Sequence, residues 1–166
     1  MGIFAAAAAL FGKGESQDAD RQSTGPRPVA TTESKATVLV IDDDPSFLDA
    51  MRMVLRSEGY NVLASSTGPK GLDMVRYAGG DIRAVLLDFN MPRFNGADTL
   101  QFLRKLNPDM KVLAISGVRL DELPPEFRQQ TDRFLPKPFT NADLLKTLDE
   151  VLQPKAAVES PTTAAA

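Results

Sequence analysis

Between residues 36 and 153, short apolar runs alternate with stretches whose apolar residues recur at three- and four-residue spacing. Thr37 to Ile41, Tyr60 to Ala64, Ala84 to Leu87, Lys111 to Ile115 and Arg133 to Leu135 have the length of strands. Several of these runs are apolar throughout, as a strand covered on both faces must be, and such strands occur in parallel sheets flanked by helices. The segments between them supply the helices. Pro45 behind Asp44 reads as a first-turn proline after an N-cap, with Phe47, Leu48, Met51, Val54 and Leu55 on one face and Gly59 as the stop. A second helix is expected after Ser66 or Thr67, with Leu72 and Val75 inward and Gly79-Gly80 ending it. A third runs from Ala97 to Leu106, burying Leu100, Leu103 and Leu106, and Pro108 blocks its continuation. The last is marked by the capping-box spacing of Thr140 and Asp143 and by the stripe Leu144, Leu145, Leu148, Val151 and Leu152. Strand-helix alternation of this kind, with right-handed crossovers, predicts an α/β fold: a doubly wound three-layer sandwich around a five-stranded parallel sheet.

The flanks read differently. Residues 1 to 35 hold an alanine-rich apolar run, Ile3 to Phe11, followed by Gly, Ser, Thr, Pro and charge without periodicity, and are expected to be a disordered tail. The run is far shorter than the roughly 20 apolar residues a membrane helix needs, and no basic residue precedes it as a signal peptide requires. Residues 154 to 166 read as a second disordered tail, leaving 36 to 153 as the folded domain.

Composition narrows the chemistry. The formal charge is −3 from 19 basic and 22 acidic residues, and no basic stripe is present for nucleic acid. Cysteine and histidine are both absent. That excludes disulfides, thiolate nucleophiles, the Ser-His-Asp triad and phosphohistidine chemistry within this chain, and a cytoplasmic address without an integral membrane segment is expected. What remains is carboxylates, hydroxyls and amines.

In a doubly wound sheet, ligands bind beyond the carboxyl ends of the strands. Just past the apolar runs stand Asp42, Asp43 and Asp44, then Asp88, then Ser116, then Lys137. Each has an ordinary explanation alone: Asp44 as a helix cap, Ser116 before Gly117 as a turn residue, Lys137 between two prolines as an exposed charge. Their coincidence at one sheet edge has none. Crowded carboxylates repel unless a cation sits among them, and Mg2+ suits an all-oxygen site that also takes a phosphate. A metal, an amine and a hydroxyl around a carboxylate are what phosphoryl transfer to Asp88 requires.

The segments Val38 to Pro45, Leu86 to Pro92 with Gly96, then Ser116, then Phe134 to Phe139 together resemble the receiver domain of two-component response regulators. The likeness spans residues 36 to 153. It implies a flavodoxin-like, CheY-like sandwich and assigns roles by position. Asp88 would be the phosphorylated aspartate. Asp43, Asp88 and the backbone carbonyl of Asn90 would ligate Mg2+, and Asp42 would act through a coordinated water. Lys137, aimed by a cis bond before Pro138, and Ser116 would stabilise the phosphoryl oxygens. Ser116 and Phe134 would form the switch, Phe134 turning into the space the hydroxyl vacates. A sensor histidine kinase or phosphotransfer protein is the expected phosphoryl source.

Two departures from the family pattern bear on output. Gly117 stands where Ala is usual, and Pro124-Pro125 interrupts the stretch Leu120 to Gln130 expected to hold the fourth helix, so that helix either starts near Pro125 or is remodelled. With no further domain legible after Leu152, signalling is expected through an unidentified effector protein in trans. The alternative is a metal-dependent phosphate-ester hydrolase using the same acidic pocket, which would need a proton-transferring group not visible in the sequence. A nucleotide-binding domain is disfavoured by the lack of a glycine-rich phosphate loop after the first strand.

Overall fold

The computed structural model describes residues 34–153, except 79 and 93. The two tail expectations therefore lie outside the described residues. Eleven elements follow one another: β1 (Thr37–Ile41), α1 (Pro45–Ser57), β2 (Asn61–Ser65), α2 (Gly68–Ala78), β3 (Ile82–Asp88), α3 (Gly96–Leu106), β4 (Lys111–Ser116), a 3-10 turn (Leu120–Glu122), α4 (Pro125–Gln130), β5 (Arg133–Pro136) and α5 (Asn141–Leu152). The five strands form one parallel sheet in the order β2-β1-β3-β4-β5. The chain thus reverses its direction of progress across the sheet after β2, leaving β1 and β3 adjacent at the switch point.

The continuous apolar runs have a simple cause. Along β1, Val38 and Val40 face one way, packing with Leu48, Met51 and Leu55 of α1 and Leu144, Leu148 and Val151 of α5. Leu39 and Ile41 face the other, packing with Leu72 and Val75 of α2, Leu100 and Leu103 of α3 and Phe127 of α4. Both faces of the sheet are core, so neither set of alternating positions can be polar.

Helix starts follow the expected chemistry. Asp44 caps α1, its Oδ1 accepting from Ser46 N at 2.8 Å. Thr140 and Asp143 close a reciprocal capping box on α5. Gly59 ends the α1 connection at φ +87°, a conformation that favours glycine. Some expectations need adjusting. β2 begins one residue later than Tyr60, and β3 begins at Ile82 and carries Asp88 as its last residue. Leu106 is 40% exposed, because each three-residue step around a helix drifts by about 60°, and two steps beyond Leu100 have turned it off the buried stripe. Of the alternatives for Leu120 to Gln130, the structure takes the first: α4 is six residues long and starts at Pro125.

Candidate functional site

Asp42 leaves β1 with its backbone N–H still donating to Ser65 O across to β2, which fixes its place at the sheet edge. Its carboxylate is 2% exposed. One oxygen accepts from Asp44 N at 2.9 Å and the other from Lys137 Nζ at 2.7 Å. Asp43 is exposed. Asp88, at the end of β3, is 5% exposed, and its Oδ1 accepts from the same ammonium at 3.1 Å. Carboxylate oxygens of Asp42, Asp43 and Asp88 all lie within 4.8 Å of one another. The adjacency of β1 and β3 at the switch point brings them together.

The opposite wall comes from β4 and β5. Ser116 is fully buried at the end of β4, and its Oγ accepts from Val118 N at 3.0 Å and from Asn90 Nδ2 at 3.4 Å. Lys137 N donates to Ser116 O at 2.8 Å, so the lysine enters from the strand beside it. The Lys137-Pro138 peptide is cis, as expected. Behind Asp88, Phe89 N donates to Ile115 O and Gly96 N to Phe89 O. A side chain at position 96 would collide with the backbone of Asp88 and Phe89, so only glycine lets α3 start this close to the end of β3. Phe134 is half-buried and packs against the core under α2, α3 and α4.

The electrostatics are those of a crowded anionic site. Burial raises the Asp88 carboxyl above its ordinary 3.8, Lys137 pulls it back, the Asp42 charge pushes it up again, and the backbone of Asn90 lowers it. For Lys137, burial acts to lower the ammonium's value, but its bonds to Asp42 and Asp88 and their charges outweigh burial and hold it above 10.5. One ammonium thus serves two buried carboxylates, with a third carboxylate at the rim. An all-oxygen donor set of this size, partly open to solvent, fits a small hard divalent cation.

Of the residues singled out from strand ends, Asp42, Asp43, Asp88, Ser116 and Lys137 gather here, with Asn90 bonded to Ser116, whereas the Asp44 side chain is spent on capping α1. Two side chains beside Lys137 were not foreseen as site residues. The Phe47 ring lies under the Lys137 ammonium, 4.1 Å from Nζ to ring centroid, and Phe139 meets Phe47 edge-on at 6.1 Å. Helical spacing marked Phe47 only as an apolar position of α1, and nothing in the sequence says which end of the core it caps.

The chain belongs to the response regulator receiver domain family, whose model matches residues 38–149. It is 35% identical over 144 residues to the sensor kinase CckA of Brucella abortus, covering 76% of this chain and 14% of that protein. With the cell cycle transcriptional regulator CtrA of Caulobacter vibrioides it shares 29% identity over 117 residues, covering 70% of this chain and 50% of the regulator. It therefore spans half or less of these curated relatives. Among solved structures, a response regulator receiver domain protein from Clostridium thermocellum superimposes with a TM-score of 0.66 at 29% identity, over 70% of this chain and 94% of that one. The family is a phosphoryl-accepting signalling domain, and the fold is the flavodoxin-like sandwich with its five parallel strands. Among the described residues no helix is long and apolar enough to cross a membrane.

Proposed function

We propose that Asp88 accepts a phosphoryl group from the phosphohistidine of a sensor histidine kinase or phosphotransfer protein, in the cytoplasm and with Mg2+, and that the phosphorylated form signals by binding an effector protein in trans. The observation that carries this is the single Lys137 ammonium held against Asp42 at 2.7 Å and Asp88 at 3.1 Å inside a three-carboxylate cluster. An Asp88 oxygen attacks phosphorus in line, the P–N bond breaks, and its electron pair leaves with the imidazole. Asp43, Asp88 and the Asn90 carbonyl would hold Mg2+, with Asp42 acting through water, and the cation would supply charge neutralisation to the transferred group. Lys137 neutralises one phosphoryl oxygen. Ser116 exchanges its present partners for another, and Phe134 turns inward behind it.

The face proposed for the effector lies beside Phe134. There a groove is lined by Leu120, Pro125, Arg128, Thr131, Arg133 and Phe134, beside β5, the last strand of the sheet among the described residues. The 3-10 turn and the six-residue α4 after it supply Leu120, Pro125 and Arg128 to its wall. No observation at the site favours the ester-hydrolase alternative. Incubation with phosphorylated histidine kinases should give a base-labile acyl phosphate on the wild-type chain and none on Asp88→Asn. Labelling that persists in the variant would move the acceptor elsewhere.

A further inference from the structure

Lys137 has a third neighbour besides its two carboxylates. Its Nζ stands 4.1 Å from the centroid of the Phe47 ring, well inside the roughly 6 Å over which a ring face attracts a cation. The ring is not free to turn away. Phe139, two residues after Lys137, packs against it edge-on with an interplanar angle of 88°, and both phenylalanines sit against the core shared by α1 and α5. Phe47 is the third residue of α1, whose start is fixed by the Asp44 cap. The ring therefore occupies a place set by the helix, independent of the lysine.

A lysine side chain is long, flexible and strongly hydrated, and fixing its head group costs rotamer entropy. The Lys137 side chain is 30% exposed, so water competes for its head group. A ring face on one side and Asp42 and Asp88 on the other leave few rotamers that satisfy both. We propose that Phe47, braced by Phe139, is a positioning residue for phosphoryl transfer: its ring face holds the Lys137 ammonium oriented over Asp88. It acts through Lys137 and not on the phosphoryl group itself. This rests on the acceptor role proposed for Asp88.

A packing role and a cation-holding role make different demands. Packing depends on the volume of the side chain, whereas holding a cation depends on the electron density of the ring face. Replacing Phe47 by phenylalanines with one, two and three ring fluorines keeps the shape nearly constant while draining that face. With acetyl phosphate as donor at saturating Mg2+, the rate of Asp88 phosphorylation should fall in graded steps, reaching about threefold to tenfold at three fluorines. Phe47→Leu should be at least as slow, and Phe47→Trp should restore the rate. Independently of any phosphodonor, the Lys137 ε-methylene protons should be shifted upfield by the ring in the wild type and lose that shift in Phe47→Leu. A flat fluorine series on a wild type that labels normally overturns the positioning role alone, and so does a missing ring-current shift. A wild type that shows the shift but takes no label from acetyl phosphate or from phosphorylated histidine kinases overturns the acceptor assignment, and the positioning role with it.

Discussion

At the scale of single residues, the site is a problem in charge balance. Asp42 and Asp88 are both nearly inaccessible, and one ammonium at 2.7 and 3.1 Å serves the pair. Asp43 is different because it is exposed at the mouth of the cluster, where, in the proposed function, it would contribute charge to an incoming cation and little to the fold. Asp43→Asn should raise the Mg2+ concentration needed for half-maximal phosphorylation by about tenfold or more, with the thermal unfolding temperature nearly unchanged. A Mg2+ titration of the phosphorylation rate decides it. Asp42, Asp88, Ser116 and Lys137 were legible in the sequence because each stands within two residues of the end of an apolar run, and the strand-end rule needs only that order. Phe47 was not. Its apolar spacing is the same whether it packs deep in the core or, as here, beneath a lysine that comes from 90 residues further along the chain.

At the scale of elements, α4 is the weakest piece and the one whose form the sequence left open. Six residues are too few to hold a helix by themselves, and its N-cap Pro124 offers no side-chain bond. What holds it is burial of Phe127 at 3% exposure and of Leu123 just before it at 2%. The Phe127 ring meets Phe89, the residue after Asp88, with centroids 4.9 Å apart. Phe127→Ala should cost about 3 to 5 kcal/mol in chemical denaturation and increase amide exchange across α4. Both proline positions were visible in the sequence, but a proline pair specifies where a helix can begin, not whether buried contacts will sustain it. α5 is anchored in another way. Tyr60 O–H donates to Asp149 at 2.6 Å, joining the residue before β2 to a helix 89 positions away. Burial first, then the bond to Asp149 and the charges of Asp149 and Glu58, raise the Tyr60 phenol above its ordinary 10.0. A raised phenol favours the neutral form in the fold, so this contribution is complete below pH 10 and is lost as pH rises beyond it. Tyr60→Phe should cost about 1 kcal/mol at neutral pH, and an alkaline absorbance titration should show the Tyr60 phenolate forming only as the chain unfolds.

At the scale of the whole molecule, the strand runs gave the sheet its number of strands and its buried faces, while the order β2-β1-β3-β4-β5 comes from crossover handedness and the family likeness, since periodicity carries no information about neighbours. That order has a thermodynamic consequence. By setting β1 beside β3 it places Asp42 against Asp88 at the buried edge, and the whole domain bears the cost. The folded Asp88 carboxyl titrates above 3.8, with burial the leading cause. Between the unfolded value and the raised folded value, the native state binds more protons than the unfolded chain. Stability must then fall as pH rises through that window and stay reduced above it. Asp88→Asn keeps the shape and removes the titration, so it should unfold at a higher temperature than the wild type at neutral pH, with the two curves converging as pH falls toward about 4. Thermal denaturation of both chains across that range measures it. A variant no more stable than the wild type at neutral pH would mean that Lys137 fully compensates the buried charge, and that Asp88 is held ionised at no cost to the fold.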